Sequence, residues 1–323
     1  YTDDWSGYAV SGAGDVNKDG IQDMLVGAMK ASSSSVNECG VAYVVFGRNT
    51  THNPAGNANI DLQNFYINGG STEGFRIIGA AAYDRAGISV AGAGDVNHDG
   101  TDDVIVGAFF ASPDVTTRFK SGITYVIFGR SAASGPSHYA DVELSQFATA
   151  ANSLGFAIIG PGANYASGRF VSGAGDVNGD GIVDVLIGTS QYSQSYVVFG
   201  RGATNGGTTA FTNVDLAPFL SAGSALGFAI FNEHGDDNTD TCIKIAGDLN
   251  GDGIADIVIG GNNAYTIVGG VSPSRRATRC ASVICWPDHS EVPQYRTLPC
   301  TIRLCIARTV SSIGVSMSGR WQK

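Results

Sequence analysis

Four short acidic segments carry the residues best able to do chemistry. The first, GDVNKDGIQD at residues 14–23, crowds three carboxylates and an amide into alternate positions of one turn. It returns as GDVNHDGTDD, GDVNGDGIVD and GDLNGDGIAD. Counted from the first aspartate, side-chain oxygens fall at positions one, three, five and nine, glycine falls at six, and a backbone carbonyl is available at seven. Hard oxygen ligands around a glycine-permitted turn suit Ca²⁺.

Other metals fit this donor set less well. Mg²⁺ demands a tighter octahedron, and Zn²⁺ or copper would prefer nitrogen or sulfur ligands that these segments lack. A turn with solvated carboxylates is the alternative interpretation of any single loop, but four copies of one spacing favour calcium. We therefore predict up to four Ca²⁺ ions. The predicted ligands, in loop order, are Asp15, Asn17, Asp19, Ile21, Asp23; Asp95, Asn97, Asp99, Thr101, Asp103; Asp176, Asn178, Asp180, Ile182, Asp184; and Asp248, Asn250, Asp252, Ile254, Asp256.

The EF-hand begins with a similar spacing and must be considered. It requires a bidentate glutamate at position twelve and a helix after the loop. Position twelve is aliphatic in all four loops and lies in a predicted strand: Val26, Val106, Ile187 and Ile259. The EF-hand is therefore excluded.

The acidic loops belong to a longer internal repeat. They start 80, 81 and 72 residues apart, and three other motif series keep step with them, represented by AYVVFGR, GFRIIGA and NIDLQNF in the first unit. Each unit predicts four strands: one before the acidic loop, one after it, and one each at the AYVVFG and FRIIG motifs. Four-stranded units at a fixed period, each unable to bury its own faces, indicate an all-β fold of the β-propeller type.

These motifs carry a family resemblance. The stretch SGYAVSGAGDVNKDGIQDMLVGA resembles the FG-GAP repeat of integrin α-subunit β-propellers, and the resemblance covers about residues 5–270. It implies that the acidic loop joins the first two strands of each blade and binds calcium. The chain offers three full blades and a partial fourth, with no fourth strand expected after AYTIVGG. It is therefore either a piece of a larger propeller or a short array that closes by an unusual route.

The repeat also suggests the domain boundaries. We place the units at about 1–81, 82–162, 163–234 and 235–270, followed by a Cys/Arg-rich tail at 271–323 that is divergent or poorly ordered. DDWSGYAV at the start aligns with YDRAGISV at 83–90, so we expect a fragment of a longer protein. The tail holds four cysteines in two Cys-x4-Cys pairs. That spacing favours local disulfides over zinc, unless the segment has no evolved fold.

Charge and composition narrow the function classes. The net charge is −10, and the tail is basic, so the repeat region is strongly acidic and argues against nucleic acid as a partner. The chain has no apolar stretch long enough to span a bilayer. Its five histidines do not recur in the repeat, and no Gly-x-Ser-x-Gly or phosphate-cradling motif is present. We predict no catalytic residues and no enzyme activity.

Two functions remain open. The first is an extracellular or cell-surface adhesion scaffold of the integrin kind, stabilised by calcium and binding a protein or glycan through variable inter-strand loops. Those loops lie at 30–39, 48–58, 110–121, 130–140 and 201–212. The alternative is an accessory or catalytic propeller domain of a calcium-dependent enzyme that acts on polysaccharide or lipid. Further blades or domains, from this chain or another, are also expected partners.

Overall fold

The strands of the first three repeat units follow the sequence motifs closely. In the computed structural model, the described residues are 3–48, 59–66, 70–131, 139–148, 152–192, 194–202, 211–221, 224–231, 242–249, 251–260, 265–267, 281–283 and 303–304. Apart from three short 3-10 helices, all regular structure in this part of the chain is β-strand. The Val- and Ile-rich runs after the second and third acidic loops form strands buried on both faces, as β-branched residues favour.

The first two units supply eleven strands. In the first unit they are β1 (Ser6–Gly14), β2 (Asp23–Ala28), β3 (Val41–Val45), β4 (Gly70–Ser71) and β5 (Gly74–Ile78). In the second they are β6 (Ser89–Gly94), β7 (Asp103–Ala108), β8 (Ile123–Ile127), β9 (Tyr139–Ala140), β10 (Val142–Glu143) and β11 (Gly155–Ile159).

The last two units and the tail segment supply ten strands. In the third unit they are β12 (Ser167–Gly175), β13 (Asp184–Thr189), β14 (Gln194–Val198), β15 (Val214–Asp215) and β16 (Gly227–Phe231). The fourth unit supplies β17 (Cys242–Gly247), β18 (Asp256–Gly260) and β19 (Tyr265–Ile267), and the tail segment supplies β20 (Ala281–Val283) and β21 (Arg303–Leu304).

Each unit forms one antiparallel sheet, which we call a blade. Blade 1 has the order β1-β2-β3-β5, blade 2 β6-β7-β8-β11, blade 3 β12-β13-β14-β16 and blade 4 β17-β18-β19-β20-β21. The four-stranded reading of the first three units is confirmed. The fold is all-β, with blades of the propeller type.

The fourth blade corrects one expectation. No fourth strand was expected after AYTIVGG, yet β20 pairs antiparallel with β19, and β21 pairs with β20. Both added strands come from the segment assigned to the tail. The sequence pattern missed them because they do not repeat the GF-I-I motif that marks the outer strand in the other blades.

The NIDLQNF series turns out to connect neighbouring blades. Strand β10, from unit 2, joins the outer edge of blade 1 in parallel to β5, and β15, from unit 3, joins blade 2 in parallel to β11. A short 3-10 helix follows in each unit, at Leu62–Tyr66, Leu144–Ala148 and Ala217–Leu220. In units 2 and 3 the helix turns the chain back from the neighbouring blade to its own.

The last Phe of each motif in the NIDLQNF series has a structural role in its own blade. Its ring packs at a steep angle on the central Tyr of the blade's third strand, with centroids 5.8, 5.7 and 6.4 Å apart in blades 1, 2 and 3. Such edge-to-face contacts add to the burial of two large rings. The pairs are Tyr43–Phe65, Tyr125–Phe147 and Tyr196–Phe219.

Three of the four apolar clusters among the described residues lie between blades, and a smaller one lies within unit 1 around Tyr43 and Phe65. One apolar cluster joins Leu25 of blade 1 to Val90 and Val104 of blade 2. The next two clusters join blade 2 to blade 3 and blade 3 to blade 4 in the same way. Because most of the buried apolar residues lie between neighbouring sheets, much of the stability must come from stacking.

Antiparallel strands place the connections alternately at the two ends of the strands in each blade, and we call each of these two ends an edge. The acidic loops lie at one edge, which we call the acidic edge, together with the described parts of loops 48–58, 130–140 and 201–212. Loops 30–39 and 110–121, with the connections between consecutive blades, lie at the opposite edge. Residues 49–58, 132–138 and 203–210 of the predicted contact loops lie outside the described residues.

Candidate functional site

The acidic loops are four nearly identical turns. Glycine at position six has a left-handed backbone in every loop, with φ between +84° and +88° at Gly20, Gly100, Gly181 and Gly253. A side chain would strain this conformation, so the predicted role of the glycine is confirmed. Position four is also left-handed, although Lys18 and His98 occupy it in the first two loops.

Backbone N–H groups hold the carboxylates of each loop in place. In the first loop, the Asp15 carboxylate accepts hydrogen bonds from the N–H groups of Asp19 and Gly20, at 3.0 and 2.8 Å. The Asn17 amide oxygen accepts from the Asp19 N–H, and its amide nitrogen donates to the Asp19 carboxylate. Asp19 in turn accepts from the Ile21 N–H at 2.9 Å. The loop side chains therefore converge on one turn.

The other loops repeat these bonds. Asp95, Asp176 and Asp248 each accept from the N–H groups at positions five and six. The carboxylate at position five accepts from the N–H at seven, which belongs to Thr101, Ile182 or Ile254. Asn97 and Asn178 bond to Asp99 and Asp180 as Asn17 does to Asp19. Asn250, the predicted ligand at position three of the fourth loop, lies outside the described residues.

The aspartate at position nine has a second role that the sequence did not reveal. The buried Asp23 accepts from the Val16 N–H inside the loop and from the Gly47 N–H at the end of β3, at 2.9 and 2.8 Å. Asp103 and Asp184 make the corresponding bonds to Gly129 and Gly200, and Asp256 accepts from the Leu249 N–H. In the first three blades this carboxylate therefore ties the acidic loop to the third strand.

The FGR motif was the available sequence signal for this link. Its glycine recurs at positions 47, 129 and 200, and a Cβ at Gly47 would lie 2.4 Å from the Gln22 carbonyl oxygen. Only a glycine lets the end of the third strand come this close to the loop. The recurrence of the glycine therefore reflects a backbone contact with the acidic loop.

Burial disfavours the ionised form of these position-nine carboxylates. Loss of solvation raises the pKa of Asp23, raises that of Asp184 to about 7 and raises that of Asp103 well above its ordinary value. The charges of the carboxylates at positions one and five raise these pKa values further. Among the described residues, none of the four ion pairs involves a carboxylate of the first three loops. A bound cation would offset this repulsion.

The donor chemistry of the loops fits calcium. The predicted side-chain ligands in the described loops are all oxygen donors, and they come from one turn in each blade. Within the described residues, no three or more His, Cys, Asp and Glu side chains lie close enough together to hold a metal ion as they stand. Instead, their oxygens face the N–H groups of the turn, and part of each donor set is an amide or a carbonyl. The residues thus suit Ca²⁺ in type and order, and its binding stays a prediction.

Neighbouring loops also touch. The Asp102 carboxylate, at position eight of the second loop, accepts a hydrogen bond from the Asp15 N–H at 2.8 Å. A Cβ at Gly14 would lie 2.3 Å from the same carboxylate. The acidic edge of blades 1 and 2 therefore brings a fourth carboxylate toward the first loop.

The opposite edge carries a different set of side chains, which we call the aromatic edge. It contains stacked ring pairs, Phe109–Phe110 at 3.9 Å and Tyr165–Tyr192 at 4.4 Å between centroids. Cationic groups lie over these and nearby rings. The cation contacts are Arg85 and Lys120 over Phe110, Lys120 over Phe119, Arg169 over Phe109, and Lys30 over Trp5.

Much of this aromatic surface is open to solvent. The exposed fractions of Trp5, Tyr83, Phe119 and Tyr192 are 46%, 56%, 47% and 48%. Backbone hydrogen bonds hold the loops together, since the Asn164 N–H donates to the Phe119 carbonyl and the Tyr83 N–H to the Asn37 carbonyl. The aromatic edge is therefore a continuous, supported surface across three blades.

The comparisons with known proteins identify the repeat. The sequence model of the FG-GAP repeat matches residues 86–127 and 167–210, which include the first three strands of blades 2 and 3. Integrin alpha pat-2 of Caenorhabditis briggsae is 36% identical over 112 residues, or 35% of this chain. The match spans only 8% of the length of that relative. None of the helices among the described residues is long and apolar enough to cross a bilayer.

Proposed function

Because the chain is an FG-GAP repeat protein whose blades resemble those of an integrin α-subunit, we propose that it is a calcium-stabilised scaffold that binds a protein or glycan ligand outside the cell. The aromatic edge is the observation that carries this proposal. Exposed Tyr, Trp and Phe rings next to Arg and Lys are the side chains that most often dominate recognition surfaces. The likeness to an integrin α-subunit supports an extracellular or cell-surface location.

The charge of the aromatic edge suggests what the ligand offers. Lys30, Arg85, Lys120 and Arg169 lie at this edge, together with Glu38, which pairs with Arg85, and the exposed Asp114. An acidic group on the ligand would therefore approach Lys30, Lys120 or Arg169 here. FG-GAP repeats of the integrin kind are generally not catalytic, and we propose a binding role without catalysis for this chain as well.

A binding screen with matched variants tests the role of the aromatic edge. The wild-type protein is applied to arrays of extracellular-matrix proteins and of glycans, and hits are measured by surface plasmon resonance. Phe119→Ala and Tyr192→Ala should each weaken binding by about 10-fold or more, because hot-spot aromatics contribute at least about 1.4 kcal/mol. His98→Ala, an exposed ring at the acidic edge, is the control and should bind like the wild type. Equal affinities for all variants would refute this surface.

In the proposed scaffold, calcium acts as a clip at the acidic edge. The side chains at positions one, three, five and nine, with the carbonyl at seven, would hold the ion in each loop. When bound, the ion supplies positive charge that offsets the mutual repulsion of the loop carboxylates. This charge would stabilise the blades and leave the ligand-binding edge free.

Metal removal tests the clip. Excess EGTA should lower the melting temperature, since a ligand at a hundredfold excess over its Kd stabilises the native state by about 2.7 kcal/mol per site. Added Ca²⁺ should restore the melting temperature, and Mg²⁺ at the same concentration should restore less. A melting curve that EGTA leaves unchanged would contradict the calcium assignment without touching the aromatic edge.

A further inference from the structure

A cavity of about 290 Å³ lies against blade 2. Strands β8 and β11 line it, together with the 3-10 helix that follows β10 and parts of two connections at the aromatic edge. Phe147 and Ala157 are buried and form part of an apolar interior, whereas Ala81 and Ala148 are exposed and mark its mouth. Small-molecule sites have volumes of about 300–1,000 Å³. The cavity therefore has room for a small ligand that enters from solvent.

Two buried polar groups face this cavity, on Asp84 and Tyr125, which are 7% and 3% exposed. One carboxylate oxygen of Asp84 accepts a hydrogen bond from the Ala81 N–H at 3.1 Å. In the described part of the chain, the second Asp84 oxygen and the Tyr125 hydroxyl have no hydrogen-bond partner, and Asp84 belongs to none of the four ion pairs. Burial, and then the charge of Asp84, raises the pKa of Tyr125, because the two groups lie near each other.

Blade 3 shows that the fold itself does not require this carboxyl group. Tyr165 stands at the position of Asp84, and Tyr196 at the position of Tyr125. The Tyr196 hydroxyl donates to the Gln194 side chain at 2.6 Å, whereas blade 2 has an isoleucine in place of Gln194. An ionised carboxylate in an apolar site lowers stability unless it is paired. Blade 2 therefore has an unpaired acidic group that its neighbour forms without, which points to a ligand.

We propose that this cavity binds a small primary amine in its protonated form, with the ammonium group held between the Asp84 carboxylate and the Tyr125 hydroxyl. An ammonium group has three N–H donors and no acceptor, so it can donate to the second Asp84 oxygen and to the Tyr125 oxygen at once. Its charge pairs with the carboxylate, and its apolar part packs against Phe147 and Ala157. A neutral ligand would leave the carboxylate charge unpaired, and an anion would be repelled.

The binding of simple amines to the full chain tests this site. Methylamine, butylamine and benzylamine are titrated at about pH 8 by isothermal titration calorimetry. Asp84, whose pKa burial raises to about 6, is ionised at that pH. At least one amine should bind. The matching alcohol should bind about 10-fold or more weakly, because it has no charge to pair with the carboxylate. Absence of binding by all three amines, or equal binding of an amine and its alcohol, would overturn the inference.

Two substitutions test whether the amine lies in this cavity. Asp84→Asn removes the charge without removing volume and should weaken amine binding by about 10-fold or more. Ala148→Phe places a ring at the exposed mouth and should also weaken binding by about 10-fold or more. Asp61→Asn is the matched control, because Asp61 is an exposed carboxylate that also accepts one backbone N–H, and this variant should bind like the wild type.

The stability of the variants separates lost binding from lost folding. Asp84→Asn removes a buried charge, so it should be at least as stable as the wild type at about pH 8, and urea denaturation checks this. An amine affinity that either cavity substitution leaves unchanged would overturn the inference. The inference does not rest on the role proposed for the aromatic edge, and its failure would leave that role intact.

Discussion

Asp84 should make the stability of the protein depend on pH in a predictable direction. Its side chain is buried, with 7% of the residue exposed, beside a cavity of about 290 Å³ that is also lined by Tyr125 and Phe147. Its carboxylate accepts one hydrogen bond, from the Ala81 N–H at 3.1 Å. Burial raises the pKa of Asp84 to about 6. The folded protein therefore holds a proton on this carboxyl at pH values where the unfolded chain has released it.

The magnitude follows from the difference in pKa. A shift of about two units is worth about 3 kcal/mol, and this stabilisation is fully present below about pH 4 and lost as pH rises through about 6. Water in the neighbouring cavity would solvate the ionised carboxylate, so about 1.5 to 3 kcal/mol is the expected range. Asp84→Asn removes the charge and keeps an oxygen that can accept from the Ala81 N–H. At pH 7 the variant should be more stable than the wild type by this amount.

Urea denaturation at several pH values measures the effect. The difference in unfolding free energy between Asp84→Asn and wild type should be smallest near pH 4 and should grow to a plateau above about pH 7. Asp61→Asn is the control, because Asp61 is exposed and also accepts a local backbone N–H, from Gln63. If the wild-type and Asp84→Asn curves run parallel across this range, the carboxylate is not held in an apolar site and the reasoning fails.

Two further predictions concern backbone positions. Gly155→Ala should destabilise blade 2 by at least about 3 kcal/mol, since Gly155 has φ of +146° and a Cβ would lie 1.9 Å from the Val126 carbonyl oxygen. Gly12→Ala is the control, because a Cβ at Gly12 meets nothing within 4 Å. Equal melting temperatures for the two variants would contradict the predicted clash. Gly179→His should destabilise the protein by about 1 kcal/mol, because position four of the loop has a left-handed backbone. The reverse change, His98→Gly, should stabilise the protein by less than that. Chemical denaturation of both variants checks the opposite signs.

Much of the fold could be predicted because each strand and turn follows from a short motif of the repeat. The acidic-loop spacing predicted a glycine turn between two strands, and the structure confirms it in all four units. The strand order of blades 1 to 3 followed from the motif series, since antiparallel neighbours need only short connections. The FG-GAP resemblance was confirmed by the family match and the integrin relative. The calcium ligands stay a prediction.

Other features could not be predicted from a single unit. The parallel strands β10 and β15 leave their own unit for the preceding blade, and nothing local marks that exchange. The strands β20 and β21 fall outside the repeat pattern. The aromatic edge gathers residues from loops and strand ends far apart in the chain, so it exists only after the blades are stacked.

One pair of residues shows most clearly what the local sequence determines and what the packing of the blades determines. Val10 and Val90 are the same amino acid at the same position of the same repeat, and the sequence alone determines that both lie on a strand before an acidic loop. Their exposed fractions are 69% and 7%. The difference comes from packing between sheets: Val90 has another blade against it in the described structure and Val10 does not. Local sequence determines the strands and turns, whereas burial depends on which neighbour covers them.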